Sequence, residues 1–454
     1  MNTIKNTNKI TFDDQYPPDP QLINACVHCG FCLATCPSYR VISQETDSPR
    51  GRIYLMDQIN KGNIDLSPAI VQHFDSCLGC LACVSTCPSG VQYDKLISAT
   101  RFQINRNYPR NWLDRLFRSL LFTILPYPQR LRILSLPLLL YQQLGLQKLA
   151  RSWQLPTKLL PKSLSAMEAI LPPLTAKSWR DYPTPLPTPS HTRYRVGVIL
   201  GCVQRVFLPE INEATIRVLT ANGCAVVIPP NQGCCSALTH HQGAGSQTKL
   251  LAKAMIDCFA NAEVDYILIN ASGCGHTLKE YGHILQDDPV YAVKAQEFSN
   301  KVRDIQEFLD EVGLTAPLHP ITEHTLTIAY QDACHMLHGQ KISLQPRRLL
   351  RQIPRVELRE SIDSALCCGS AGIYNILQSD VADELGAQKV FNLTATGAQI
   401  IASANVGCTL QLRKHLQLQN KSVPIYHPIE LLDYAIRGVK LGENGEAIST
   451  TKAL

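Results

Sequence analysis

The chain has 454 residues, enough for about three domains at ~100–200 residues each. Its 45% hydrophobic content suits buried cores, and a net charge of +6 is too mild to argue for nucleic acid. No run reaches the ~18–20 uninterrupted apolar residues of a membrane span, and the first residues carry no apolar leader. In a long chain of that kind, eighteen cysteines point to metal or redox thiols in the cytoplasm rather than to disulfides.

Residues 1–100 hold the first eight cysteines. Cys26, Cys29, Cys32 and Cys36, followed by Pro37, match C-x2-C-x2-C-x3-C-P, and Cys77, Cys80, Cys83 and Cys87, followed by Pro88, match it again. Three thiolates on one tight loop reach three irons of a cube, and the fourth is turned away by its proline toward the other cluster. The runs therefore predict two 4Fe–4S clusters. One is held by Cys26, Cys29, Cys32 and Cys87, the other by Cys77, Cys80, Cys83 and Cys36. Structural zinc also uses CxxC pairs, but typically on separate loops. Asp47 to Met56 reads as a loop leading into a helix; the second reading puts Arg50 and Arg52 against a cluster or a partner.

Residues 101–190 contain no cysteine. From Arg101 to Arg180, thirteen Lys and Arg stand against Asp114 and Glu168, a local charge of +11. Leucine-rich patches such as LFRSLLFTIL and LSLPLLLYQQL predict helices. Three readings stay open: a surface lying on anionic lipid, a docking face, or an ordinary helical linker with a solvated face. Pro137 and three glutamines argue against a spanning helix over Ile133–Gln147. The run Tyr182–Pro189 (YPTPLPTP) reads as a stiff linker.

Beyond it lies a duplication. YRVGVILGC ends at Cys202 and LTIAYQDAC at Cys334; Cys234 and Cys235 answer to Cys367 and Cys368; YILINASGC ends at Cys274 and QIIASANVGC at Cys408. The offsets are 132, 133 and 134 residues, a repeated domain over 191–322 and 323–454. Short β-branched runs alternate with helical patterns such as EINEATIRVLTANG, which predicts a parallel α/β sheet in each repeat. The whole is an α+β multidomain chain, a helical ferredoxin-like domain followed by the duplicated α/β domain. Each repeat's four thiols follow strand ends, where open α/β sheets bind ligands. A further cluster or zinc is one reading of Cys334, Cys367, Cys368 and Cys408, and of Cys202, Cys234, Cys235 and Cys274; a redox disulfide and burial as core residues are the others. Cys224 and Cys258 have no counterparts and read as core. His276, His335 and His338 lie near the thiols as ligands, proton carriers or hydrogen-bonded neighbours.

Two ferredoxin-type runs followed by two cysteine-rich "CCG" domains resemble the iron–sulfur subunit of glycolate oxidase (glycolate dehydrogenase). SPRGRIYLM after the first run, GCVQRVFLPEIN at Cys202 and CCGSAGIYN at Cys368 are similar to that family over nearly the whole chain. Ser236 stands where the first CCG motif has glycine. Thr277 and Gln411 leave the closing CxxC incomplete, which puts five-cysteine clusters in doubt; Gly369 keeps the second motif intact. The resemblance implies an electron-transfer subunit. An FAD-containing subunit oxidises glycolate to glyoxylate, and this chain passes electrons to a quinone or other acceptor, peripheral to the inner face of a membrane. Alternatives are the equivalent subunit of a lactate or glycerol-3-phosphate dehydrogenase, or a heterodisulfide-reductase-like thiol reductase. The sequence shows no nucleotide loop and no hydroxy-acid site, so no catalytic residue is expected here, and the chain alone is expected to be inactive.

Overall fold

A computed structural model of the chain describes residues 10–442 and 445, apart from 154, 181, 183–185, 187, 188 and 190. The proline-rich run at 182–189 lies mostly outside the described residues.

The N-terminal part is helical. Pro20, Pro37, Pro49 and Pro68 each open a helix, at the position where a missing N–H leaves nothing unpaired. Helix α1, Pro49–Asn60, starts under a Ser48 side chain that accepts from the Gly51 N–H. It buries Ile53, Met56 and Ile59 against Leu96, Ile97 and Ile104 of helix α2, Tyr93–Asn107. The stretch after Asp47 is thus a loop entering a helix, as one reading expected. Cys77 and Cys83 belong to the same buried cluster, so the second thiol loop is packed into the core, whereas Cys29 of the first is exposed.

The basic segment folds as helices, chiefly α3, Trp112–Ile124, and α4, Pro128–Gln143, with Pro137 inside the latter. Among the described residues, no helix is long and apolar enough to cross a membrane. Much of the positive charge is answered internally. Arg106, Arg110, Arg118, Arg151, Lys162 and Lys177 pair with Asp13, Asp75, Asp114, Glu168, Asp380 and Glu213 respectively. A long apolar face is left in the open: Trp112, Leu113, Leu116 and Leu120 on α3, and Ile133, Leu136 and Leu140 on α4, are all exposed.

The two repeats carry matching four-stranded sheets, all parallel. Strands β1 (Tyr194–Ile199), β2 (Cys224–Val227), β3 (Tyr266–Ile269) and β4 (Val302–Asp304) run in the order β2-β1-β3-β4. Strands β5 (Leu326–Gln331), β6 (Val356–Arg359), β7 (Ile400–Ser403) and β8 (Ile425–Tyr426) repeat it as β6-β5-β7-β8. The register is also matched: Val196 faces Tyr266 as Ile328 faces Ile400. Strand order reverses between β1 and β3, and between β5 and β7. Such a switch point opens a crevice at the carboxyl ends of the strands. Helices α5 (Pro209–Ala221), α6 (Ala237–His241), α7 (Ser379–Thr394) and α8 (Pro428–Arg437) do most of the positioning discussed below. One apolar core runs through both repeats, from Val196 and Leu268 to Ile328, Ile400 and Ile429. Across it, α5 packs on α8, and Asp433 is held by both Arg217 and Arg437.

Candidate metal centres

All eighteen cysteines are free thiols. Two small cavities lie against the N-terminal runs. One is lined by Cys26, Cys29, Cys32 and Cys87, with Cys83 also on its wall. The other is lined by Cys36, Cys77, Cys80 and Cys83. The last cysteine of each run therefore faces the cavity of the other run. Neither cavity is lined by an Asp or Glu. Soft thiolate donors without carboxylates suit iron–sulfur chemistry. Among the described residues, no group of three or more His, Cys, Asp or Glu side chains could hold a single metal ion. The thiols surround a space instead of meeting at a point, the arrangement a polynuclear cluster needs, so these residues fit such a centre.

The electrostatics around the second cavity are built from buried groups. Burial pushes the Cys80 and Cys83 thiols well up. At Cys77 burial acts the same way but is outweighed by Arg52 and Arg101, helped by the Gly79 N–H and the Tyr93 hydroxyl, so its thiol lies below the ordinary value. Arg52 is fully buried. Its guanidinium donates to the His73 carbonyl at 2.6 Å, to Ser38 and Ser76 hydroxyls at 3.1 and 3.0 Å, and to Asp47 at 3.3 Å. Arg50 donates to the His28 carbonyl at 3.0 Å, inside the first run. Both arginines thus lie beside the thiol loops, within the stretch that runs from loop into helix, so both readings describe it in part.

The repeat thiols gather as expected at the strand ends. In the first repeat, Cys202 and Cys234 sulfurs are 3.4 Å apart, and Cys235 hydrogen-bonds with Cys234 and Cys274. In the second, Cys334 and Cys367 are 4.0 Å apart, Cys368 bridges Cys367 and Cys408, and Asn405 Nδ2 donates to Cys408 at 3.3 Å. Cys224 lies in β2 and Cys258 donates to the Pro230 carbonyl at 3.2 Å, so neither joins a thiol group. Gly369 has φ +83°, and a Cβ there would collide with the Ala382 carbonyl of α7. Ser236 takes the same left-handed conformation, φ 65°, so the first motif keeps the backbone turn without the glycine.

The second repeat sits directly on the second N-terminal thiol loop. Cys80 shares a buried cluster with Leu366 and Cys367. The Tyr374 hydroxyl donates to the Ser76 carbonyl at 3.0 Å. His335, in a single π turn over His335–Gly339, bonds the Gly79 carbonyl at 2.8 Å, and His338 bonds Ser85 at 3.0 Å. His335 stacks on His241 with centroids 4.7 Å apart and lies 5.2 Å from His276. The role for His240 and His241 was not anticipated. Their only signal is a His–His pair one helical turn past the vicinal cysteines, on α6. Both line, with Arg101 and Phe102, an open cavity of about 1020 Å³ between the N-terminal part and the first repeat.

A helical domain with cysteine-lined cavities, joined to two cysteine-rich α/β repeats, defines a protein of the iron–sulfur class. The description "4Fe-4S dicluster domain" matches residues 22–91, and "Cysteine-rich domain" matches 196–279 and 328–413. "Glycolate oxidase iron-sulfur subunit, linker region" matches 113–171. The chain is 36% identical to the probable glycolate oxidase iron-sulfur subunit of Bacillus subtilis (strain 168), over 95% of this chain and 97% of that one. It is 34% identical to the glycolate oxidase iron-sulfur subunit of Escherichia coli (strain K12), over 91% and 94%. Lactate utilization protein A of Shouchella clausii is 28% identical, over 52% of this chain and 98% of its own. The chain belongs to the glycolate oxidase iron–sulfur subunit family.

Proposed function

We propose that this chain is the electron-transfer subunit of a glycolate dehydrogenase. A separate FAD-containing subunit oxidises glycolate to glyoxylate, and this chain carries the electrons onward to a quinone at the inner face of a membrane. The observation that supports it most is the pair of cysteine-lined, carboxylate-free cavities with exchanged fourth cysteines, in a chain that aligns nearly end to end with relatives of that name. Cys26, Cys29, Cys32 and Cys87 hold one 4Fe–4S cluster, and Cys77, Cys80, Cys83 and Cys36 the other. When bound, such clusters supply one-electron carriers of tunable potential.

The protein's own residues divide the remaining work. Val27 and Phe31 flank the exposed Cys29 and are 66% and 65% exposed, which suits this loop to docking the flavin subunit. Arg52 and Arg101 oppose the accumulation of negative charge at the buried second loop. The repeats hold a further cluster or zinc, at Cys334, Cys367, Cys368 and Cys408 and at Cys202, Cys234, Cys235 and Cys274. The exposed Trp and Leu of α3 and α4 lie on the membrane. The four units are 1–100, 101–190, 191–322 and 323–454. A lactate-oxidising complex is the second reading, and its relatives match only about half of this chain.

Anaerobically purified chain is expected to be brown, to carry about eight irons from its two N-terminal clusters, and to leave glycolate untouched without its partner. Cys36→Ser should lose the same electron paramagnetic resonance signal as Cys80→Ser and keep the one lost in Cys26→Ser. The reverse pattern sinks the exchanged assignment, and zinc without iron sinks the cofactor.

A further inference from the structure

The cavity of about 1020 Å³ shares a wall with the second thiol cavity: Gly79 and Leu81 line both. We propose that this cavity is where a quinone-class acceptor is reduced, a small, planar, lipophilic dicarbonyl that takes up two electrons and two protons. The inference rests on the electron-transfer reading above and assigns its acceptor a place.

Four observations carry it. The volume matches a small-molecule site, and Ile97, Phe102 and Ile284 give it apolar walls for a ring. Gly79 has φ +64° and no side chain, so a ligand there is separated from the second thiol set by backbone alone. Polar groups suited to carbonyl oxygens are present. His240 and His241 line the cavity, and His240 Nδ1 and His241 Nε2 are buried nitrogens with no protein hydrogen-bond partner. His335 stacks behind His241 and grips the Gly79 carbonyl, which fixes the imidazole against the wall. Finally, the cavity adjoins the exposed apolar helix. Gln247, on its rim, donates to the Phe122 carbonyl of α3, and Arg118 of α3 donates to Gln242. A lipophilic acceptor thus reaches the cavity beside the face proposed to lie on lipid.

The balance is simple. Two electrons removed from the hydroxy acid by the flavin partner cross the Gly79–Leu81 wall one at a time. Two protons enter from water at the open mouth, by way of the imidazoles. Each carbonyl becomes a hydroxyl and no bond of the ring is broken. A dinucleotide acceptor would need a phosphate-binding glycine loop, which the sequence lacks. A protein acceptor would need a surface, not a cavity.

The test uses the intact complex with its flavin subunit. Ser98→Trp and Ala244→Trp fill the cavity from two separate elements. Three readouts are taken: reduction of ferricyanide, reduction of decylubiquinone, and quenching of the fluorescence of 2-heptyl-4-hydroxyquinoline N-oxide, which reports binding without turnover. Both variants are expected to keep ferricyanide reduction and iron content, to lose quinone reduction, and to bind the hydroxyquinoline about tenfold or more weakly. Variants that fold, bind it as the wild type does and still reduce quinone overturn the cavity assignment while the electron-transfer reading stands. If glycolate fails to bleach the iron–sulfur absorbance of the wild-type complex, the electron-transfer reading itself fails.

Discussion

Arg52 shows what a single buried side chain does in this fold. It is a guanidinium with no exposed surface, ringed by Asp47, Ser38, Ser76 and a carbonyl, and it sits close enough to the second thiol loop to offset the burial of Cys77. Removing one partner of a buried ion pair leaves the other uncompensated, at about 3–5 kcal/mol. Arg52→Met leaves Asp47 so placed and strips the cation from Cys77. It is expected to lower stability by about that amount and to remove about four irons per chain by loss of the second cluster. Denaturant midpoints and iron per chain check both, and full iron in a stable variant would refute the role. Little of this was legible in the sequence. PRGR offered two arginines of equal standing, and only packing separates the buried Arg52 from the half-exposed Arg50. The sixteen cysteines that gather at the two N-terminal cavities and at the strand ends of the repeats were legible individually, because each recurs at a fixed spacing along the chain itself.

At the scale of elements, the strand runs before Cys202, Cys274, Cys334 and Cys408 were readable because they are apolar, rich in β-branched residues and buried on both faces. β4 and β8 were not: VRD and IY are too short to show a pattern, and pairing with β3 and β7 makes them strands. Helix α8 shows how a cap is built from buried titratable groups. His427 Nδ1 accepts from Ile429, its Nε2 donates to the Asn270 carbonyl of the other repeat, and Glu430 accepts from the His427 N–H. Burial raises the Glu430 carboxyl from 4.5 to about 7, despite the opposing His427 N–H and Arg413. A folded pKa above the unfolded one favours folding below pH 4.5, and that contribution disappears as the pH rises through about 7. Glu430→Gln keeps the acceptor and cannot ionise. It is expected to raise the thermal midpoint at pH 8 and to leave it almost unchanged at pH 4. A lower midpoint at pH 8 would show that the charged carboxylate is stabilising.

Over the whole molecule, the +11 of the middle segment proved to be partly cancelled by acidic residues scattered from Asp13 to Asp380. What that segment leaves to solvent is mainly apolar. Arg115 stands exposed on α3 between Leu113 and Leu116. Burial of such a face in lipid, with modest help from charge, predicts binding to anionic vesicles that persists in moderate salt. Replacing Trp112, Leu116 and Leu120 together by serine is expected to reduce vesicle cosedimentation several-fold without changing iron content, since all three are exposed. Unchanged cosedimentation would assign the face to the protein partner.

The sequence by itself determined the eight cysteines of the two runs, the duplication at 132–134 residues and the placing of four thiols at each sheet's strand ends. Those features are written in local spacing and periodicity, which every neighbour along the chain can see. Only the tertiary structure decided that the second repeat lies on the Cys77–Cys83 loop and that His240, His241 and His335 meet beside Gly79. It also decided which cations of the middle segment pair with acidic side chains. These depend on contacts between residues well separated along the chain, for which local pattern carries no signal.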